Sequence, residues 1–170
     1  MNDLPRDQRL LSTEDALQIQ RLLESNPDYT QRVEGDTPTA SAAMEVLTTL
    51  PPETRLNQKK DLGLFLDGDL LALADLIVGW PQETIAHIGL LMTHGKRHRQ
   101  GLGRAIHQSV IEFLVQYPEI DTLRISIVDS NADAAQPFWA ALGYEPTGEF
   151  SVYQAGTVRS TARAWTLSLK

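Results

Sequence analysis

Between residues 62 and 93 the chain carries three consecutive apolar runs of strand length: "LGLFL", "LLALADLIV" and "TIAHIGLLMT". Asp67-Gly68 separates the first two, and an Asp-Gly pair supplies the positive φ angles that a two-residue hairpin turn requires. Pro81-Gln82-Glu83 separates the second from the third. These spacings predict a three-stranded antiparallel meander. Beyond it the period changes. Leu102, Ile106, Val110, Phe113 and Leu114 mark one face of a helix running to about Gln116. "TLRISIV", residues 122–128, returns to strand. Strand, helix and strand in that order predict one parallel crossover, from 84–93 to 122–128.

The flanking segments fit around this centre. "STEDALQIQRLLESNP" reads as a helix capped by Ser12 or Thr13 and stopped at Asn26-Pro27. Residues 28–37 read as a loop or short turn, and "TASAAMEVLTTLPP" as a second helix ended by Pro51-Pro52. "PFWAALG" reads as a short helix with Pro137 first and Gly143 just past its end. The remaining segment closes as a hairpin around Ala155-Gly156. The expectation is one α+β domain over residues 1–170, a mixed, mostly antiparallel sheet of six to seven strands flanked by helices.

Composition narrows the function. The chain has no cysteine, which excludes disulfides, thiolate metal sites and a cysteine nucleophile, and suits a cytoplasmic protein. No metal site is expected. "MNDLPRDQRLL" has no long apolar segment, so neither a secretory signal nor a membrane span is expected. The net charge of −7 argues against nonspecific binding of nucleic acid, which needs a broad basic footprint.

The charge is uneven. Lys96, Arg97, Arg99 and Arg104, with His94 and His98, crowd the junction between the third meander strand and the helix that follows. Gly101 and Gly103 lie in the same stretch. A helix start has unpaired N–H groups and the positive end of the helix dipole, and phosphate oxygens satisfy both. Glycines there would let the backbone approach the oxygens, and Arg99 and Arg104 would add charge-assisted bonds. The dinucleotide fingerprint fails, because its third glycine falls at Ile106. The mononucleotide loop with its Lys-Ser/Thr is absent.

His98-Arg99-Gln100-Gly101-Leu102-Gly103 resembles the Q/R-x-x-G-x-G/A signature of the GNAT superfamily of N-acetyltransferases, with His98 replacing the usual Gln or Arg. "IGLLMTHGKRHRQGLGRAI" looks like that family's fourth strand, loop and third helix, and "PFWAALGYEPTGEF" like its segment after the fifth strand. The resemblance implies acetyl-CoA as co-substrate, lying between the fourth and fifth strands. Backbone N–H groups of Arg99, Gln100, Gly101, Leu102, Gly103 and Arg104 would hold its pyrophosphate. The backbone of Leu91, Met92 and Thr93 would pair with its pantetheine arm, with a N–H near Met92 polarising the thioester carbonyl. Asn131 looks like the family's cofactor-contacting asparagine; its other reading is a cap or turn after Val128.

The resemblance further implies direct transfer, in a ternary complex, to a primary amine. An amine with a pKa near 10.4 is neutral in only about one molecule in a few thousand at pH 7, so a proton acceptor is required. His87, 14 positions before Gly101, matches the histidine-bearing strand of an amine-acetylating member of the family. Its other reading is a structural histidine, with Asp75 and Glu83 as alternatives acting through water. Trp139 stands where most members have a tyrosine to protonate the leaving thiolate, which leaves Tyr144, Tyr153 or water for that role; the other reading of Tyr144, at the family's usual phenylalanine position, is a core residue. The acceptor is expected to be a small, cationic amine; Asp28, Tyr29 and Glu34 are candidates for its pocket wall, and a peptide N-terminus is the alternative substrate. A fold that binds acyl-CoA without turnover is the other function class. Members of the family are commonly dimers, so a homodimer is possible on this resemblance.

Overall fold

The computed structural model describes residues 7–170. Its strands are β1 (Asp7–Leu10), β2 (Leu62–Leu66), β3 (Asp69–Val78), β4 (Ile85–Thr93), β5 (Thr122–Val128), β6 (Glu145–Ala155) and β7 (Val158–Ser168). Its α-helices are α1 (Ala16–Glu24), α2 (Pro27–Glu34), α3 (Ala42–Thr48), α4 (Leu102–Leu114) and α5 (Ala132–Ala141). The strands form one sheet in the order β1-β2-β3-β4-β5-β7-β6. Among the described residues only β4 and β5 pair in parallel. The α+β expectation holds, with seven strands.

Alternation along the strands divides the apolar side chains between two layers. Ala72, Ala74 and Leu76 of β3, Ala86 and Ile88 of β4, and Leu123, Ile125 and Ile127 of β5 pack with Leu102, Ile106 and Val110 of α4. On the other face Leu73 and Met92 pack with Ile19, Leu22 and Leu23 of α1 and with Ala43 and Leu47 of α3. The meander turn forms as expected, with Asp67 at φ 50° and Gly68 at φ 84°. Ser12 caps the first helical turn, its Oγ accepting from Glu14 N–H while Asp15 accepts from Ser12 N–H.

Two local expectations are corrected, and one strand has no signal in the sequence. Residues 28–37 are not mainly loop: Pro27 opens α2 at its first position, where a missing N–H costs nothing, and Gly35 ends it at φ 78°. Pro137 lies inside α5, which starts five residues earlier. The bond it cannot donate would have gone to Asp133 C=O, near the exposed helix start, where water can serve instead. An edge strand, β1, pairs with β2 through a run too polar and short to read as strand. The first six residues of "MNDLPRDQRLL" lie outside the described residues.

Two irregularities shape the sheet. Between β3 and β4 the register steps from Asp75↔Leu90 to Leu76↔Ile88, leaving Gly89 as a surplus residue, a β-bulge that bends its strand. Between β6 and β7 it steps from Pro146↔Trp165 to Phe150↔Arg163, so Thr147–Glu149 swell outward opposite Ala164. Thr147 Oγ1 braces that swelling, donating to Ala164 C=O at 3.0 Å and accepting from Glu149 N–H at 3.0 Å.

A buried ionic cluster lies on β3 near the Gly89 bulge. Lys59 Nζ is 2.6 Å from Asp75 Oδ1 and 3.6 Å from Asp61 Oδ1, and that Asp61 oxygen has no hydrogen-bond partner. Burial first, then the adjacent Asp75 carboxylate, raises Asp61 well above the usual carboxylate range, against the pull of Lys59. A raised folded-state pKa contributes stability that is complete below the unfolded value near 4 and is lost as pH climbs toward the folded one. Each pH unit in that window costs at most about 1.4 kcal/mol, or about 3–6 °C in Tm for a chain of this size. Thermal melts from pH 5 to 8 should therefore fall less steeply for Asp61→Asn than for the parent. Parallel slopes would contradict this account.

Candidate active site

The sheet opens where its two parallel strands part. β4 and β5 pair only from Ile85↔Thr122 to Ile88↔Ile125, although β4 runs on to Thr93 and β5 to Val128. Past the Gly89 bulge a cleft separates them. Because the two strands are parallel, their C-terminal ends point the same way. The loop into α4 and the turn at 129–131 therefore rim one mouth.

Within the cleft, hydrogen-bond alternation decides which backbone groups are free. His94 N–H donates to Leu71 C=O at 2.8 Å, which makes Thr93↔Ala72 a non-hydrogen-bonded pair in the antiparallel register. Alternation then commits the N–H and C=O of Met92 to β3 and leaves those of Leu91 on the open edge. The expected N–H near Met92 is thereby narrowed to its two neighbours: those of Leu91 and Thr93 face the open edge. Thr93 C=O also faces away from β3 but accepts from Asn26 Nδ2.

The start of α4, where an anion cradle is expected, is an uncapped helix N-terminus. Gly101 is its N-cap, at φ 78°, and no side chain caps the helix. Arg99 is also left-handed, at φ 62°, and this curl turns successive N–H groups to one side. The side chains of Lys96, Arg97, Arg99 and Arg104 are exposed. Among the described residues none of them is in an ion pair. The two glycines serve different ends. A Cβ on Gly101 would meet nothing within 4 Å, so glycine is needed there for φ, and the space before it is open. A Cβ on Gly103 would come within 2.8 Å of Phe138 Cε2. Glycine at 103 thus lets α4 approach α5, a packing role besides the one expected of its backbone. Gln100 is exposed in the loop, and Leu102 turns inward into the core. Asn131 ends the turn after β5, where its Oδ1 accepts from Arg32 Nε of α2 at 2.6 Å.

His87 and Tyr144 are not brought together. His87 lies between Ala86 and Ile88, which face α4, so its side chain faces the α1 side. It is buried, edge-on to Trp80 at 5.1 Å, and beside Arg124. Arg124 Nη1 is 3.2 Å from His87 Nδ1. A guanidinium can only donate, so Nδ1 accepts and the neutral ring carries its proton on Nε2. Burial, helped by the Arg124 charge, pushes His87 down to about 3. With its lone pair occupied and its basicity so reduced, His87 does not suit the expected role of proton acceptor in the free protein; it positions Arg124.

Tyr144 is on the opposite face, only 2% exposed, its hydroxyl 3.0 Å from His107 Nε2 of α4. Burial raises its pKa above the ordinary tyrosine value. It is a core residue, a correction to its candidacy as a proton donor. Trp139 packs edge-on against it at 5.0 Å. Tyr153 donates to Val33 C=O at 2.9 Å, tying β6 to α2.

On the α1 side of the sheet, a cavity of about 440 Å³ opens beside the cleft. Its floor is Arg124 and Ser126 of β5 with Ala162 and Ala164 of β7, and its wall is the swelling of β6 from Gly148 to Ser151. Ser126 lies past the last β4–β5 pair, so cavity and cleft adjoin. Asp28, Tyr29 and Glu34 do not line it. None of its lining residues is singled out from the sequence; Arg124 and Glu149 are the two charged ones. A signal for Arg124 is present there: in "TLRISIV" Arg124 and Ser126 alternate with three core residues, which puts them on the face away from α4. Nothing local signals Glu149, whose placement depends on a register irregularity.

The Acetyltransferase (GNAT) family model matches residues 20–144. The chain belongs to that family, and its chemistry is acyl transfer. Among solved structures it is similar to an acetyltransferase from Thermus thermophilus, at 22% identity and TM-score 0.76 over 99% of this chain and 100% of that one. It is also similar to the ribosomal-protein-S18-alanine N-acetyltransferase of Escherichia coli, at 20% identity and TM-score 0.69 over 98% and 95% of the two chains. An N-acetyltransferase from Staphylococcus aureus matches at 14% identity and TM-score 0.71, over 98% and 99%. At these identities the likeness concerns the fold. No curated protein matches the chain.

Proposed function

We propose that this protein is an N-acetyltransferase that moves the acetyl group of acetyl-CoA to a primary amine of a small molecule, directly, within a ternary complex. One observation carries the reading: β4 and β5 part after four residue pairs, and the opening leads onto an uncapped helix start with unpaired basic side chains. The residues fit the co-substrate. The curled backbone from Arg99 to Arg104 offers donors to a diphosphate, with Arg99 and Arg104 at its rim, and the open edge of Leu91 offers a N–H and a C=O to an amide-bearing arm.

Acetyl-CoA supplies an activated thioester, whose C–S bond is exchanged for the amide C–N bond. The chain's own groups orient, exclude water and handle charge around that exchange. Leu91 N–H is the donor placed to hold developing negative charge on a carbonyl oxygen in the cleft. The adjoining cavity holds the acceptor, whose ammonium proton is lost to solvent before the amine attacks. His87, neutral throughout the working range, contributes no titration to the rate between pH 6 and 9. Its removal should act through Arg124, on KM.

The test begins with binding. A ligand at about 100 times its Kd stabilises by about 2.7 kcal/mol, which here is a Tm rise of about 5–10 °C. Coenzyme A should produce that rise, and ATP or NAD should not. Thiol release from acetyl-CoA across a panel of small amines should follow. No shift with coenzyme A would overturn the reading. Binding without release on any amine would leave an acyl-CoA-binding protein instead.

A further inference from the structure

The cavity floor holds a cation that the protein leaves underpaired. Arg124 is drawn from β5 onto the α1 side of the sheet, its side chain 17% exposed. One of its nitrogens donates to the neutral His87, and its guanidinium lies 5.6 Å from the Trp80 ring. Its sole carboxylate partner among the described residues, Glu149, is 4.0 Å away and 74% exposed. Two neutral rings and one distant, solvated carboxylate leave a half-buried guanidinium with unsatisfied donors in the direction of the cavity. Burial lowers the Arg124 pKa, and the pull of Glu149 does not make up the difference.

A guanidinium presents a planar fork of donors that matches a carboxylate with two parallel bonds. The rest of the floor, Ser126, Ala162 and Ala164, is small and leaves room above it. We infer that the acceptor amine carries a carboxylate that docks on Arg124, so that the substrate class is amino acids and short peptides with a free carboxyl group. This replaces the cationic amine that the net charge suggested; the local charge at the cavity floor has the opposite sign. Several residues of β4 lie between His87, the in-register neighbour of Arg124, and the free N–H of Leu91. The amine and the carboxylate are therefore separated by a spacer, and its length is read by a series.

The inference rests on the cavity being the acceptor site of the transferase proposed above. Its test uses the full chain saturated with coenzyme A, titrated calorimetrically with N-acetyl derivatives of glycine, 4-aminobutyrate, 6-aminohexanoate and glycylglycine. Each is paired with the corresponding carboxamide. At the best spacer the acid should bind at least tenfold more tightly than its amide. Arg124→Met should abolish that ratio, with a retained coenzyme A-induced Tm shift reporting an intact fold. Glu149→Gln, which removes the competing anion, should tighten the acids two- to fivefold and leave the amides unmoved. Equal affinities for acid and amide across the series, or no binding of any acid, would overturn the inference. So would an acid preference that survives Arg124→Met. A coenzyme A shift without acid preference separates its failure from that of the transferase reading, which falls only if the shift itself is missing.

Discussion

Gly95→Ala should lower stability by about 3 kcal/mol, the upper part of the range for an overpacked site, and Tm by about 6–12 °C. The glycine follows His94 at the exit of β4, where it runs against the last turn of α1. An added Cβ would lie 1.8 Å from Ser25 O and 2.8 Å from Ser25 C, backbone atoms that no rotamer change can remove. The contact is tied on both sides. Gly95 N–H donates to Ser25 Oγ at 3.0 Å, that hydroxyl donates to Leu22 C=O at 2.6 Å, and Asn26 holds Thr93 C=O. Either the end of α1 or the exit of β4 must shift, and the loop proposed to cradle the diphosphate begins at that exit. Coenzyme A affinity should therefore fall with stability. Urea melts should show a lower midpoint at an unchanged slope. A variant within about 0.5 kcal/mol of the parent would contradict the contact, since that is the ordinary range of surface substitutions.

Gly103→Val should weaken coenzyme A at least tenfold and cost about 1–3 kcal/mol of stability. The Cβ alone would lie 2.8 and 3.1 Å from Phe138 Cε2 and Cζ, and valine adds two methyl groups at a helix position where its rotamers are few. Where the Phe138 ring does not turn aside, the start of α4 retreats from α5 and carries its N–H groups away from the mouth of the cleft. Because the obstruction is one side chain, it is removable. Phe138→Ala in the Gly103→Val background should recover most of the lost affinity, a coupling that a double-mutant cycle measures. If Gly103→Val binds coenzyme A normally, the spacing of the two helices does not set the cradle.

Much of the fold can be read from apolar period alone. The meander from Leu62 to Thr93, the helix from Leu102 and the parallel crossover to Thr122 all follow from runs whose spacing only one element satisfies. What period misses is set by tertiary contact. β1 is a polar tetrapeptide that becomes strand because β2 presents an open edge, with Arg9 anchored on Asp15 at 2.7 and 3.0 Å and stacked 4.2 Å over Phe65. α2 reads as loop when a proline is taken only to end a helix, although the same residue can open the next one. At the site, the cradle is legible because the glycine spacing at 101 and 103 is local. The roles of His87 and Tyr144 are not, because basicity depends on what closes around a side chain. Arg124 answers the first from a strand 37 residues away, and His107 the second from the middle of α4.

The surplus residue at Gly89 fixes where the two central strands stop pairing. That makes the cleft a matter of covalent register rather than of side-chain choice. Substituting along β4 can change what the opening accepts and how firmly, but the point of divergence stays with the residue count between Ile88 and Leu90. Only an insertion or deletion there would move it, and with it the distance from the mouth of the cleft to Arg124.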